Sequence, residues 1–282
     1  MAKKFQCELS WSASRSKEFE RCRKENWYSR YGSWGWWTER PRGEKYDVMI
    51  HKNLSSLPAL AGTCMHDAIE HWFSLRSQGT EMTSAELFED ARERFRTGWR
   101  ESAGDGWKNQ PNRSVHLDEH HYGVDIDADR TGKVQEMMTR ASRYFCESKE
   151  IQVVREADPK SWLSVENMDT WPFLGTKIYS IPDFAYEKDG KFHIWDWKTG
   201  RPREDDWFQL HTYALYGCEK WSADPESIVL HAAYLNEQAV ESKEVSIQSL
   251  GEVQDAMSMS VRAMMEVHYD PDTDSCAEEN WP

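Results

Sequence analysis

Two aspartates and a lysine near residue 190 have the types and the spacing for phosphodiester chemistry. Asp183 lies on one predicted strand, and Asp196 and Lys198 lie on the next. The segment Lys188-Asp189-Gly190 predicts a hairpin turn between the strands, so the two aspartates meet near one end of the pair. Residues two apart share one face of a strand, which places Asp196 beside Lys198. Carboxylates bind Mg²⁺ or Mn²⁺ and an ammonium group stabilises charge on a phosphate, so the trio predicts metal-dependent hydrolysis.

An isolated Asp-x-Lys is common and is usually a surface salt bridge, so its neighbours decide the interpretation. Gln209 and Tyr213 share one face of a helix predicted over 204–219. Far upstream, His66 and Glu70 share one face of a helix predicted over 60–77. A neutral imidazole there can complete a carboxylate metal site with Glu70 as its outer partner, although alone the two would be a surface His–Glu pair.

Taken in chain order, these segments resemble the RecB-like branch of the PD-(D/E)XK nuclease superfamily. That branch includes the nuclease domains of RecB and AddB and the CRISPR-associated adaptation nucleases. The matching segments are the Gly62 to His66 helix, a carboxylate strand at Asp183, Asp196-Trp197-Lys198-Thr199-Gly200, Gln209 to Tyr213, and an N-terminal segment from Ser14 to Lys24. Several loosely spaced segments in the right order are more specific than any one of them.

The resemblance implies a role for each matching residue. Metal ligands would be His66, Asp183, Asp196 and the main-chain carbonyl of Trp197. Lys198 would be the catalytic lysine, and Gln209 and Tyr213 would position the DNA backbone or support Lys198. Glu166 matches a glutamate whose role the resemblance leaves open. The implied fold is α/β, with a mixed central sheet flanked by helices, and the implied cofactor is Mg²⁺ or Mn²⁺.

Many relatives in this branch also hold an iron–sulfur cluster with one early and three late cysteines. Here Cys22 has the early position, but only Cys276 follows Cys218. Such a cluster needs four thiolates, so the sequence predicts no iron–sulfur cluster. The six cysteines are scattered without a CxxC pair, which is typical of reduced thiols.

The charge of the chain is unevenly distributed. The net charge is −14, yet residues 1–45 hold eleven Lys and Arg against six Glu, a local charge of +5. Such a basic arm can bind phosphate while the acidic body repels polyanions, so bulk charge does not exclude DNA. Predicted DNA-binding residues are Arg15, Arg21, Arg23, Lys24, Trp34, Trp36 and Trp37. The tryptophans could stack on unpaired bases, or they could pack over the core or a neighbouring subunit.

The remaining patterns predict one domain over 1–282. Helices dominate 1–150, a hairpin-rich sheet with flanking helices follows over 151–282, and 103–131 has no period and is predicted to be a long loop. No apolar run is long enough to span a membrane and no leader is recognisable, so we expect a cytoplasmic location.

The expected function is therefore a metal-dependent deoxyribonuclease. We expect an exonuclease on DNA ends or single strands that serves in repair, recombination, phage or defence processing. Its expected partners are DNA and the proteins of such a complex. The alternatives are a non-catalytic DNA-binding or scaffolding subunit of the same fold and a structure-dependent endonuclease.

Overall fold

A five-stranded mixed sheet lies at the centre of the computed structural model, which describes residues 8–38, 41–166 and 168–268. Its order is β10 (Ala239–Glu244), β9 (Ile228–Tyr234), β8 (Lys191–Lys198), β7 (Phe184–Lys188) and β4 (Trp162–Val165). Strands β8 and β9 are parallel and the other pairs are antiparallel. The mixed sheet with its helical N-terminal part confirms the predicted α/β fold.

Helices cover both faces of this sheet and form most of the N-terminal half. They are α1 (Ala13–Arg21), α2 (Arg23–Trp27), α3 (Glu44–Lys52), α4 (Leu57–Ser77), α5 (Ser84–Ala103), α6 (Asp118–His121), α7 (Ala128–Glu147), α8 (Gln152–Arg155), α9 (Glu204–Trp221) and α10 (Ile247–Glu266). Two small sheets accompany them. Their strands are β1 (Ser10–Trp11), β6 (Thr176–Tyr179) and β5 (Thr170–Phe173) in one sheet, and β2 (Leu54–Ser55) and β3 (His116–Leu117) in the other.

The β7–β8 hairpin forms where the turn residues predict it. Asp189 and Gly190 have φ values of 52° and 75°, the left-handed conformation that a two-residue hairpin turn requires at both central positions. Phe184 pairs with Trp195, so one further step of the antiparallel register brings Asp183 opposite Asp196. The hairpin thus places the two aspartates together at the end away from the turn.

Successive side chains of β8 point to opposite faces of the sheet, and each face packs into its own hydrophobic cluster. Trp195 and Trp197 pack into the cluster formed with α4, α5 and α7, whereas Ile194 packs into the cluster formed with α9 and α10. Asp196 and Lys198 are two and four residues after Ile194, so their side chains lie on the same face of β8, the face that α9 covers. Both faces of the strand are buried, which keeps the functional residues at its end in a fixed geometry.

The predicted long loop over 103–131 is wrong. A 3₁₀ turn, β3, α6 and the first turn of α7 divide the segment. Long-range contacts stabilise these short elements: β3 pairs with β2, and both carboxylate oxygens of Glu119 lie 3.3 Å from the backbone N–H nitrogen of Leu57. Helix α7 begins at Ala128 because the Asp127 side chain accepts from Arg130 N–H and caps it.

Cys22 divides the helical segment near the N-terminus into α1 and α2. Cys22 has an extended backbone, and its thiol accepts from the Glu25 N–H to cap the separate helix α2. A π-helix over Tyr28–Gly32 follows. Within the described residues, no helix combines the length and the apolar character needed to cross a bilayer.

Candidate metal centre and active site

Three side chains from separate elements converge at the open end of the β7–β8 hairpin. His66 belongs to α4, Glu166 follows β4 and Asp183 precedes β7. The His66 Nδ1 atom lies 3.3 Å from Glu166 Oε1 and 3.5 Å from Asp183 Oδ2. One ligand atom from each of the three lies within 4.8 Å of the other two. An imidazole and two carboxylates at this spacing can hold a divalent cation.

Glu166 reaches this cluster through an unusual backbone conformation. Its φ of 43° is in the left-handed region, which costs a residue with a Cβ about 1–3 kcal/mol. Its N–H donates to the Asp183 carbonyl oxygen at 3.1 Å, so the main chains of the two acidic residues are joined directly. The turn directs the Glu166 carboxylate toward His66 instead of continuing β4.

The backbone of Trp197 contacts the same cluster. Its N–H donates to Asp183 Oδ2 at 2.5 Å. The N–H and C=O groups of one strand residue point to the same edge, so the Trp197 carbonyl also faces the Asp183 side. The next carbonyl, of Lys198, points the other way and accepts from the Leu235 N–H at 2.8 Å. The Trp197 carbonyl oxygen therefore lies on the edge of β8 that faces Asp183.

Asp196 and Lys198 form a second group of buried polar side chains beside the first. Lys198 Nζ lies 2.6 Å from Asp196 Oδ2 and donates to Gln209 Oε1 at 2.9 Å. Gln209 Nε2 in turn donates to the Tyr213 hydroxyl at 2.6 Å. The Asp196 side chain is 2% exposed, and its Oδ2 is the oxygen that contacts the Lys198 ammonium group. The lysine therefore compensates part of the charge of this buried carboxylate.

Ionisable residues of the two groups affect one another's pKa values. Burial raises the pKa of Asp183, His66 opposes this rise and Asp196 adds to it. Burial also raises the pKa of Asp196, although Lys198 lowers it. Burial lowers the pKa of His66, but the charges of Asp183 and Glu166 outweigh this and raise that pKa well above its usual value. Buried carboxylates whose ionisation is hindered fit a divalent cation, whose charge favours the ionised form.

Helix α4 approaches the end of β8 closely enough to set the position of His66. A Cβ at Gly62 would lie 2.9 Å from Thr199 Oγ1, so a larger residue would push α4 away or turn Thr199. Asn236 Nδ2 donates to the Thr199 carbonyl oxygen at 2.7 Å and fixes the segment after Lys198. We did not predict the contributions of Thr199 and Asn236, because only the fold brings the segments together.

Three of the four predicted DNA-binding cations already make contacts within the protein. The Arg15 guanidinium lies 5.1 Å from the centre of the Tyr179 ring, and that of Arg23 lies 5.2 Å from the Phe19 ring. Arg21 pairs with Glu25 on the surface. Lys24 is exposed. The predicted cations thus differ in how available they are to an external phosphate.

Trp34, Trp36 and Trp37 contact one another and also reach the surface. The ring centres of Trp34 and Trp37 are 5.4 Å apart and those of Trp36 and Trp37 are 6.3 Å apart, both edge to face. Trp37 remains 43% exposed. The three indoles line a cavity of about 520 Å³ together with Arg15 and Arg30.

These elements identify the class of protein. The family model of the PD-(D/E)XK nuclease superfamily matches residues 10–278, and the chain belongs to that superfamily. Pro182-Asp183 and Asp196-Trp197-Lys198 fit the pattern in the superfamily's name. No curated protein matches the chain significantly. The predicted superfamily is confirmed, and the fold and a nuclease class follow from it.

Proposed function

We propose that the protein is a Mg²⁺- or Mn²⁺-dependent deoxyribonuclease of the RecB-like type. It would act as an exonuclease on DNA ends or single strands. Residues 1–282 would form one domain, located in the cytoplasm. The enzyme would serve DNA repair, recombination, phage or defence processing together with partner proteins. The observation that carries the proposal is the convergence of His66, Glu166 and Asp183 beside the Asp196–Lys198 pair.

The ligand set that we propose joins side chains and one main-chain group. The metal would be held by His66, Glu166, Asp183, Asp196 and the Trp197 carbonyl oxygen. When bound, a divalent cation offsets charge on the scissile phosphate and lowers the pKa of a coordinated water. Glu166 is an addition to the ligands that the resemblance implies, and its 3.3 Å contact with His66 supports it.

Lys198 would bind the phosphodiester as an ammonium group. Asp196 and Gln209 restrict its Nζ to one place, and the Tyr213 hydroxyl restrains Gln209 in turn. A positioned cation in a buried site stabilises charge that develops on a phosphate oxygen, and it needs no reorganisation as the reaction proceeds. Gln209 and Tyr213 would therefore act through Lys198 as positioning residues.

A non-catalytic scaffold of the same fold is the second candidate, and the net charge of −14 favours it. Buried clustered carboxylates argue against it, since they are costly to retain without a cation. The expectation that the chain holds no iron–sulfur cluster stays a prediction, because Cys276 lies outside the described residues.

The test compares purified wild type with Asp196→Asn on end-labelled single-stranded, linear duplex and closed circular DNA, with Mg²⁺ or Mn²⁺. We expect wild type to release label from linear substrates alone and Asp196→Asn to release none. Nicking of the circle that depends on Asp196 would make the protein an endonuclease. Equal activity in both proteins would reject this active site, and no cleavage by wild type would favour the scaffold.

A further inference from the structure

The cavity beside the aromatic segment combines the surfaces that an unpaired nucleotide needs. Trp34, Trp36 and Trp37 provide aromatic faces and edges at its rim. Its volume of about 520 Å³ is within the range of small-molecule sites, which spans roughly 300–1,000 Å³. Nucleic-acid bases stack on such side chains whatever their identity, because every base has a flat π face.

The charges around the cavity favour an anion. Arg15, Arg30 and Lys52 line it, and Glu8, the one acidic side chain among the described lining residues, pairs with Lys177 at 2.8 Å. These three cations could therefore meet a phosphate. Lys52 Nζ also donates to the Ser29 carbonyl oxygen at 2.8 Å, which holds that ammonium group at the wall.

Arg30 at the cavity wall is incompletely hydrogen-bonded within the protein. Its Nε is buried and has no hydrogen-bond partner in the part of the chain that the structure describes. Its nearest carboxylate contact, from Nη2 to Glu18, is 3.7 Å, too long for a strong hydrogen bond. The residue lies in the π-helix Tyr28–Gly32, and π-turns occur frequently at functional sites.

We infer that this cavity binds one unpaired nucleotide of a single-stranded substrate, with the base against the tryptophans and the phosphate against Arg15 and Arg30. The inference rests on the proposed function in taking DNA as the ligand. A base within a duplex has both faces covered by its neighbours, so the cavity selects single strands. The site is separate from the His66–Glu166–Asp183 cluster in its residues and chemistry.

The experiment measures binding without cleavage. Full-length Asp196→Asn protein without divalent metal is titrated against labelled oligo-dT and against a duplex of equal length, and fluorescence anisotropy gives the dissociation constants. In this background, Trp37→Ala should weaken oligo-dT binding at least about fivefold and leave duplex binding unchanged. Trp37→Phe should retain most of the affinity. Tyr122→Ala removes an aromatic residue that is 62% exposed and does not line the cavity, and it should change nothing.

The phosphate contact has its own readout. Arg30→Gln should lower the slope of log affinity against log salt by about 0.7, the value for one lost contact with a single strand. Unchanged oligo-dT affinity in Trp37→Ala would overturn the inference, as would equal losses for the duplex. Cleavage by wild type is measured separately. Cleavage with unchanged Trp37→Ala binding would reject the cavity alone, and Trp37-dependent binding without cleavage would reject the nuclease alone.

Discussion

Gly62 on α4 and Thr199 after β8 are in contact so close that a Cβ at position 62 would lie 2.9 Å from the threonine hydroxyl oxygen. His66 is one helical turn beyond Gly62, and Lys198 immediately precedes Thr199. The contact therefore sets the separation between the imidazole of the candidate metal centre and the strand that carries Asp196 and Lys198.

This relationship predicts the effect of enlarging Gly62. Gly62→Ala should lower the rate of DNA cleavage by on the order of tenfold, because small displacements of reacting groups are costly. Thr199→Ala removes the hydroxyl that a new Cβ would meet, so the double variant should recover most of the loss. Steady-state cleavage rates of the four proteins give the coupling. Additive losses would show that the 62–199 contact does not set the site.

For Lys198 and for Gln209, which positions it, we predict graded losses of kcat. Lys198→Met should reduce kcat by about 10²–10³-fold, as removal of a charge-stabilising donor does in other enzymes. Gln209→Leu should lose about tenfold because Lys198 is less restricted, and Tyr213→Phe should lose less still. The affinity for Mn²⁺, measured by calorimetry, should change little in Gln209→Leu and Tyr213→Phe. A loss of Mn²⁺ binding in these two would instead place them with the metal ligands.

Metal binding should stabilise the fold through Glu166. At a Mn²⁺ concentration 100 times the dissociation constant, mass action adds about 2.7 kcal/mol, which is a rise in Tm of about 5 °C. Glu166→Gln should lose most of this rise because a neutral amide is a weaker ligand than a carboxylate. Glu219→Gln, at an exposed position of α9, is the matched control and should keep it. Equal rises in all three proteins would exclude Glu166 from the ligand set.

A buried histidine on β9 predicts a loss of stability in mild acid. The His231 Nε2 atom is hydrogen-bonded with His193 Nδ1 at 3.0 Å, and its Nδ1 with Ser242 Oγ at 2.7 Å. The ring also stacks on Trp195. Burial lowers the pKa of His231 to about 3, whereas the unfolded chain has a histidine pKa of about 6.5. The unfolded state then binds the proton between these values, so stability present at pH 7 falls as the pH drops below 6.5.

The expected decrease between pH 7 and pH 5 from this one residue is about 2 kcal/mol. Urea unfolding of wild type and His231→Gln at both pH values measures it, and the variant should show a flatter pH dependence by that amount. Parallel slopes would mean that the pKa of His231 is the same in the folded and unfolded states.

The sequence predicted the hairpin and α9 well because their signals are local. Asp189-Gly190 specifies the turn between β7 and β8, and the spacing of Gln209 and Tyr213 already places them on one helical face. Helix α3 was not predicted, and its N-cap, Gly43, provides no side-chain hydrogen bond as a local start signal.

The parts that escaped prediction depend on contacts between distant segments. Glu166 reaches His66, 100 residues away, only because its backbone turns left-handed and its N–H binds Asp183. No pattern of residue types predicts that turn, since glutamate rarely adopts it. Likewise, the need for a residue without a side chain at Gly62 arises only because the fold brings Thr199 against it.

Diffraction from crystals soaked in Mn²⁺, recorded for its anomalous signal, tests directly whether the His66–Glu166–Asp183 cluster binds a divalent cation. We predict an anomalous peak bounded by His66, Glu166 and Asp183, and loss of that peak in crystals of Asp183→Asn. Crystals that show no peak at this cluster, at a Mn²⁺ concentration that supports DNA cleavage in solution, would show that the cluster is not the metal site.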